Sequence, residues 1–483
     1  MHYQTVSKIL GILLIIFSVT HLTPLMVSLL YAEHNSFPFF ISFSVTLSTG
    51  LLMWAPVRNS QRDLRYRDGF LVVVLFWTVL ATFGALPFVF SANHSLSVTD
   101  AFFESMSGLT TTGGTILTNL DTLPKSLLYY RQQLQWLGGM GIVVLAVAIM
   151  PMLGIGGMQL YRAETPGPMK DSKLTPRITE SAKALWYIYL GLTVICGLAY
   201  WVAGMDVFDA IGHSFSTVAI GGFSTHDLSL GYFDSVAIEV VAIIFMLLAS
   251  ANFSLHFLAW RNRSATPYLH DSEYRFFLSI IAFLAIIVVT LLINQEIYAS
   301  KLLAVRQGLF HLVSIVTTTG FTSTGFAWWP GALPVLLVLF SFMGGCAGST
   351  AGGIKVMRIQ LMYKQGRKEI VRLVHPNAVL SIKTGEQVIS EKVVNTVTAF
   401  FSMYIFCFAL TGFALSAAGL DWITAFSAAA ACLNNLGPGL AEVANNYASI
   451  NDTAKWILSF AMLLGRLELF TLLVLFTTTF WRD

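Results

Sequence analysis

Residues 314–325 read SIVTTTGFTSTG. Three consecutive threonines followed by a glycine and an aromatic residue make poor helix, because β-branched side chains lose χ1 freedom there and glycine costs about 1 kcal/mol relative to alanine. Yet apolar runs of membrane-crossing length lie on both sides. Working outward, the pattern recurs as DAFFESMSGLTTTGG from Asp100, DAIGHSFSTVAIGGF from Asp209, QGLFHLVSIVTTTGF from Gln307 and TAFSAAAACLNNLGP from Thr424. Each stretch has a glycine thirteen positions after its first residue, namely Gly113, Gly222, Gly320 and Gly437. Ser107, Ser216 and Ser314 share the seventh step, where the fourth copy has Ala431. A single such glycine reads equally well as a close-packing residue or a helix cap; four in register read as a structural repeat.

The composition agrees with a membrane setting. Of 483 residues, 55% are hydrophobic and 11% charged, which excludes a soluble multidomain enzyme. The net charge is +3, and the bases sit in short clusters between apolar runs, a topology signal rather than a nucleic-acid surface. Cys196, Cys346, Cys407 and Cys432 are far apart, without CxxC or histidine at ligand spacing, so neither disulfides nor zinc are indicated. The run 9–31 is too long for a signal-peptide core and reads as the first span.

Segments of the roughly 20 residues needed to cross the hydrocarbon fall near 9–31, 37–55, 70–90, 129–153, 183–204, 236–260, 275–296, 333–360, 392–419 and 455–480, ten crossings in all. Alternate connections are basic: Arg58, Arg62, Arg65 and Arg67; Arg162, Lys170, Lys173 and Arg177; Arg261 and Arg263; Lys364, Arg367, Lys368, Arg372 and Lys383. These are expected in the cytoplasm together with both termini. The outward connections each hold a run such as DAFFESMSGL, which as helix spans about half the bilayer core and must enter and turn back.

The expected fold is therefore an all-α polytopic membrane protein with two N-terminal transmembrane helices (1–68) and four repeats of span, short helix, glycine strand and span (69–180, 181–270, 271–383, 384–483). Each repeat holds two complete crossings, so all four are parallel and can surround an axis normal to the membrane, unlike inverted-repeat transporters. Unwound backbone at membrane depth is tolerated only when buried in protein or lining a watery path. Glycine reaches positive φ freely, so the residues before it can direct carbonyls toward a common axis, replacing the hydration shell of a monovalent cation. Short helices entering from outside place partial negative charge at their C-terminal ends, which favours cations and excludes anionic cargo. Asp100 and Asp209 read as N-caps of their short helices.

The third repeat's last span contains Gly344, Gly345, Gly348, Gly352 and Gly353 with Ser349 and Thr350, and is expected to break in mid-membrane on the cytoplasmic side of the strands. A phosphate loop is excluded, since Lys355 does not follow a glycine directly. Arg466 lies inside the last span, where an ionisable residue is costly and marks function; the alternative is an arginine paired within the bundle, for example with Glu468, although residues two apart do not share a helix face. Asn252 is placed to bond the broken loop or to pack between helices. His213 reads as a buried, satisfied histidine, and no catalytic constellation stands out that would make an enzyme.

These residues resemble the Trk/Ktr/HKT superfamily of potassium transporters, in particular its bacterial Trk branch. SGLTTTGG, AIGGFSTHD, TTTGFT, NNLGPG and the interrupted span MGGCAGSTAGGIK carry the likeness, which covers essentially the whole chain. The resemblance implies that Gly113, Gly222, Gly320 and Gly437 are filter glycines and that Thr111, Thr112, Ile220, Gly221, Thr318, Thr319, Asn435 and Leu436 offer carbonyl oxygens to K⁺. It implies a gate made by the 344–353 loop and Arg466 as a positive barrier. It also implies gated, channel-like potassium uptake through a homodimer in the bacterial inner membrane. A cytosolic ring of TrkA-type regulatory subunits would carry the nucleotide, with no organic cofactor in this chain. A symporter coupled to H⁺ or Na⁺ is the alternative.

Overall fold

In a computed structural model, the described residues are 2–60, 66–91, 94–141, 178–378, 380–385 and 387–482. Arg62, Arg65, Arg162, Lys170, Lys173 and Arg177, and the far end of the expected span near 129–153, lie outside them. Apolar runs become helices because in lipid every backbone N–H and C=O has to be bonded within its own segment. Among the described residues six helices are long and apolar enough to cross a bilayer: Tyr3–Leu30, Ser36–Val57, Arg67–Phe90, Lys183–Val202, Ser272–Asn294 and Glu391–Ala417. The only strands described are two residues each, Lys383–Thr384 paired antiparallel with Gln387–Val388. The fold is an all-α polytopic membrane architecture.

Two expected spans are not straight. Val236–Ala249 and Phe253–Asn262 meet at 96°, and Asp452–Arg466 and Phe470–Phe476 at 110°. Asn252 leaves the helical region and its Oδ1 accepts from the Ser254 N–H at 2.8 Å, capping a new helix. Glu468 and Leu469 take φ of 53° and 54°, which no helix accommodates. Hydropathy registers length and apolarity, and neither bend alters them. The first repeat's last span changes from Lys125–Trp136 to a π-turn at Leu137–Gly141. In the third repeat the glycine-rich loop separates Leu333–Phe340 from Val356–Val374, as its composition predicted.

The four short helices are Val98–Leu109, Val207–Ala219, Lys301–Val316 and Trp422–Leu433. At 1.5 Å per residue they reach about 18–24 Å, less than the hydrocarbon thickness. Their N-caps are Ser97, Asp206, Ser300 and Asp421, each accepting a backbone N–H in the first turn. The expectation that Asp100 and Asp209 are the caps is thus corrected by one turn. Asp100 accepts from Ser97 Oγ at 2.9 Å and pairs with Lys455 at 2.6 Å, whereas Asp209 accepts from Thr225 Oγ1 at 2.8 Å.

Packing closes these elements into a ring. The helix following each glycine strand lies against the short helix of its own repeat and against that of the next: Lys125–Trp136 touches the first and second short helices, Val236–Ala249 the second and third, Leu333–Phe340 the third and fourth, and Asp452–Arg466 the fourth and first. One apolar core joins the N-terminal helices with the first and fourth repeats, and another joins the second and third. The N-terminal pair packs through Gly11 and Gly50, where a Cβ on either would lie within 3.0 Å of the facing backbone. It docks on the first repeat through Glu33, whose carboxylate accepts the N–H groups of Lys125 (2.6 Å) and Ser126 (3.1 Å) at a helix start.

Candidate functional site

Each short helix ends in the same backbone turn. The residue two before the glycine is left-handed in every repeat, with φ of 55° at Thr111, 55° at Ile220, 65° at Thr318 and 54° at Asn435. The glycines follow at 81°, 79°, 82° and 97° for Gly113, Gly222, Gly320 and Gly437. The intervening residue donates its N–H back to the helix: Thr112 to Ser107 at 2.9 Å, Gly221 to Ser216 and Thr319 to Ser314 at 2.8 Å, and Leu436 to Ala431 at 2.7 Å. A uniform strand points successive carbonyls to opposite faces; alternating the sign of φ brings them to one side. Sequence reasoning assigned positive φ to the glycines alone and missed the second position, where β-branched Ile220 pays a steric penalty.

The strands meet in cyclic order. A Cβ built on Gly113 would overlap the Gly221 carbonyl oxygen, one on Gly222 that of Thr319, and one on Gly320 that of Leu436, while at Gly437 it would come within 2.7 Å of the Thr112 oxygen. So the carbonyl before each glycine lies against the glycine of the preceding strand, and the fourth strand returns to the first. All eight residues predicted from sequence as oxygen donors are within this ring and buried.

The threonine runs are accounted for by bonds inside the protein. Thr110 and Thr317 hydroxyls donate to the Met106 and Val313 carbonyls at 2.7 Å, and they pair with Thr112 Oγ1 (2.7 Å) and Thr319 Oγ1 (2.8 Å) respectively. The middle hydroxyls face the other way. Thr111 Oγ1 accepts from Arg466 Nη1 at 3.2 Å, and Thr318 Oγ1 accepts from the Gly352 N–H at 2.8 Å.

Below the strands the 344–353 loop is tied to the second, third and fourth repeats. The Gly353 N–H donates to the Asn434 carbonyl at 3.1 Å and that of Cys346 to Ser250 at 2.9 Å, while Phe253 donates to Gly348 at 3.0 Å. Thr350 Oγ1 donates to the Val218 carbonyl at 3.0 Å, and Glu273 Oε1 accepts the N–H groups of Ala347 (2.7 Å) and Met357 (3.0 Å). Gly344, Gly348 and Gly353 have φ of 65°, 74° and 71°, which only glycine adopts readily. Gly345 faces Ser349 and Ala351 side chains within 3.0 Å of where a Cβ would stand. The Asn252 side chain caps its own helix beside Gly348.

Arg466, from the fourth repeat, reaches four groups in the first and third: Thr111 Oγ1, the Thr350 carbonyl at 3.3 Å, and the Gly138 and Gly139 carbonyls at 2.5 and 2.7 Å. Glu468 pairs with Arg358 at 2.5 Å.

Outside the ring, one column of the repeat anchors the exits of the first three strands. Four residues after each repeat's start stand Glu104, His213, His311 and Ala428. Glu104 Oε2 accepts the Ile116 N–H at 3.0 Å, and its partner Arg131 (2.7 Å) reaches Thr115 Oγ1 and the Ser224 carbonyl. His213 has both ring nitrogens engaged, by the Asp209 carbonyl (2.8 Å) and Ser224 Oγ (2.9 Å), as expected of a satisfied histidine. His311 donates through Nδ1 to the Gln307 carbonyl at 2.9 Å, and its Nε2 accepts the Ser323 N–H at 3.4 Å. Arg131→Met would leave the buried Glu104 carboxylate unpaired, a loss of about 3–5 kcal/mol, expected as a lowered thermal unfolding midpoint in detergent.

At the ring's outer edge His226 stacks on Tyr232 at 3.5 Å and contacts the carboxylates of Asp121 and Asp209. Burial opposes its charged form, but Asp209 and Asp121 outweigh that and hold the imidazole above its ordinary value. Asp121 is partly desolvated, yet His226 holds its carboxyl below the usual range.

Four re-entrant helix–strand units closed around one axis, with a broken segment beneath, define a polytopic membrane protein of the four-repeat, re-entrant-helix class. The chain belongs to the TrkH family of cation transport proteins, whose model matches residues 35–482. It is 56% identical, over the full length of both chains, to the Trk system potassium uptake protein TrkH of Vibrio parahaemolyticus serotype O3:K6 (strain RIMD 2210633). It is 54% identical to TrkH of Escherichia coli (strain K12), again over both whole chains, and 41% identical to TrkG of that strain, over all of this chain and 99% of the relative. The crystal structure of the potassium transporter TrkH from Vibrio parahaemolyticus superposes with a TM-score of 0.91 at 54% identity, covering both chains completely.

Proposed function

We propose that this chain mediates potassium uptake across the bacterial inner membrane through a gated, channel-like pore, with both termini in the cytoplasm. Carbonyls of Thr111, Thr112, Ile220, Gly221, Thr318, Thr319, Asn435 and Leu436 replace the hydration shell of K⁺, which is cargo rather than cofactor. The observation that carries this reading is the cyclic contact of each pre-glycine carbonyl with the preceding strand's glycine. The four short helices end at these strands, so their C-terminal dipoles add negative potential where the ion would sit. The names of the relatives supply the ion.

The 344–353 loop and Arg466 form the gate. The chain works as a homodimer with a cytosolic TrkA-type subunit, on which any nucleotide is bound. Purified protein in liposomes, supplied with K⁺, Rb⁺, Na⁺ and Li⁺ with and without that subunit, tests the proposal. Downhill flux is expected with K⁺ and Rb⁺ far ahead of Na⁺ and Li⁺; a rate favouring Na⁺, or uphill K⁺ movement driven by a pH or Na⁺ gradient alone, overturns it.

A further inference from the structure

The second strand departs from the other three. Immediately before the glycine stand Thr112, Thr319 and Leu436 in repeats one, three and four, but Gly221 in repeat two. The space its missing side chain would occupy is taken by the carboxamide of Gln135, from the first repeat; a Cβ at Gly221 would run into it. Gln135 Nε2 donates to the Gly221 carbonyl at 2.6 Å, and Gln135 Oε1 accepts the Phe223 N–H at 3.0 Å, so one amide splints two residues of the strand as a neighbouring β-strand would. Gln132, on the same helix, donates to the Phe223 carbonyl at 3.4 Å, and Gly212 is the glycine that makes room for its carboxamide.

In the third strand the matching support comes from the repeat's own helix, where Ser314 Oγ donates to the Phe321 carbonyl at 2.7 Å. The equivalent Ser216 hydroxyl in the second repeat has no partner among the described residues. Of the eight carbonyls assigned to the ion, Gly221 is the one that accepts a hydrogen bond from a side chain among the described residues.

We propose that Gln135 is a positioning residue that sets discrimination among alkali cations, through the Gly221 carbonyl. The inference rests on the reading of the ring as a selectivity filter. A carbonyl that already accepts an amide N–H offers less negative charge to an ion. A ligand ring of weaker field favours K⁺, which is cheap to dehydrate, over Na⁺. The bond also fixes the oxygen where the larger ion needs it. Both effects have the same sign: removing the amide donor strengthens and loosens the oxygen, and Na⁺ gains.

The test measures K⁺ and Na⁺ flux in proteoliposomes for Gln135→Met, Gln135→Glu and Gly222→Ala, with folding checked by size-exclusion profile. In Gln135→Met the K⁺/Na⁺ flux ratio is expected to fall about three- to tenfold, the equivalent of one hydrogen bond. If that variant does not fold, Gln135→Glu, of the same shape, carries the same criterion. Over about pH 5 to pH 9, Gln135→Glu is expected to lose K⁺ preference as pH rises, because only its protonated carboxyl donates to Gly221. A merely structural splint would give no such profile. A wild-type ratio in both variants, or a reduced ratio in Gln135→Glu that ignores pH, overturns the role of Gln135. If Gly222→Ala keeps wild-type flux and ratio, the filter reading itself fails; if Gly222→Ala is altered and the Gln135 variants are not, only this inference fails.

Discussion

Gly320→Ala is expected to abolish potassium flux while leaving a folded protein in the membrane. The added methyl would fall on the Leu436 carbonyl oxygen and within 2.8 Å of Pro438 Cδ. The φ of 82° at this residue adds a further ~1–2 kcal/mol for any L side chain. The strand has to move, and because it sits in a closed ring its movement displaces the oxygens on both sides. Losing about 3 kcal/mol of ion solvation at one plane lowers flux by about 100-fold. Folding is expected to survive, since the helix-to-helix contacts that close the ring lie outside the strands. Rubidium uptake into proteoliposomes, normalised to protein inserted, checks this; flux within about twofold of wild type would mean that ions do not pass the ring.

Gly320 was legible in the sequence because a repeat displays its constraints four times over. The four glycines fall thirteen residues into their repeats, and the structure brings all four to one place. The loop at 344–353 was legible for a simpler reason, as five glycines in ten residues cannot remain helical in lipid. What escaped the sequence depends on partners remote along the chain. Nothing about Ile220 announces a left-handed residue; β-branching argues against one, and the turn is imposed by the strand's anchors. Glu104 reads as a charge in an apolar helix until Arg131 is seen beside it, 2.7 Å away. Gln135 lies in the polar run YYRQQLQW at the start of the expected span 129–153; only packing puts its carboxamide into the gap at Gly221. The bends at 250–252 and 467–469 escaped for the same reason, being set by what the exposed backbone groups can reach.

Arg466→Gln is expected to raise flux in the absence of the cytosolic partner by about tenfold or more. A guanidinium bonded to Thr111 Oγ1 and to the Thr350, Gly138 and Gly139 carbonyls stands directly below the ring. It can oppose a cation in two ways, as a repelling charge or as a staple that holds the loop across the path. At an effective dielectric of about 20, a unit charge about 4 Å from an ion contributes roughly 4 kcal/mol, ample for the expected effect even if half of it is relieved by relaxation. Arg466→Lys separates the two, since lysine keeps the charge but not the planar fork that reaches carbonyls of separate repeats at once. Flux that stays low in Arg466→Lys and rises in Arg466→Gln assigns the barrier to charge. A rise in both assigns it to the staple, and shortening the segment 345–352 should then open the path as well. Unchanged flux in Arg466→Gln, at normal expression and with a normal elution profile, removes this residue from the gate. The gate would then rest on the loop, with its own bonds to Asn434, Thr318 and Val218 to hold it.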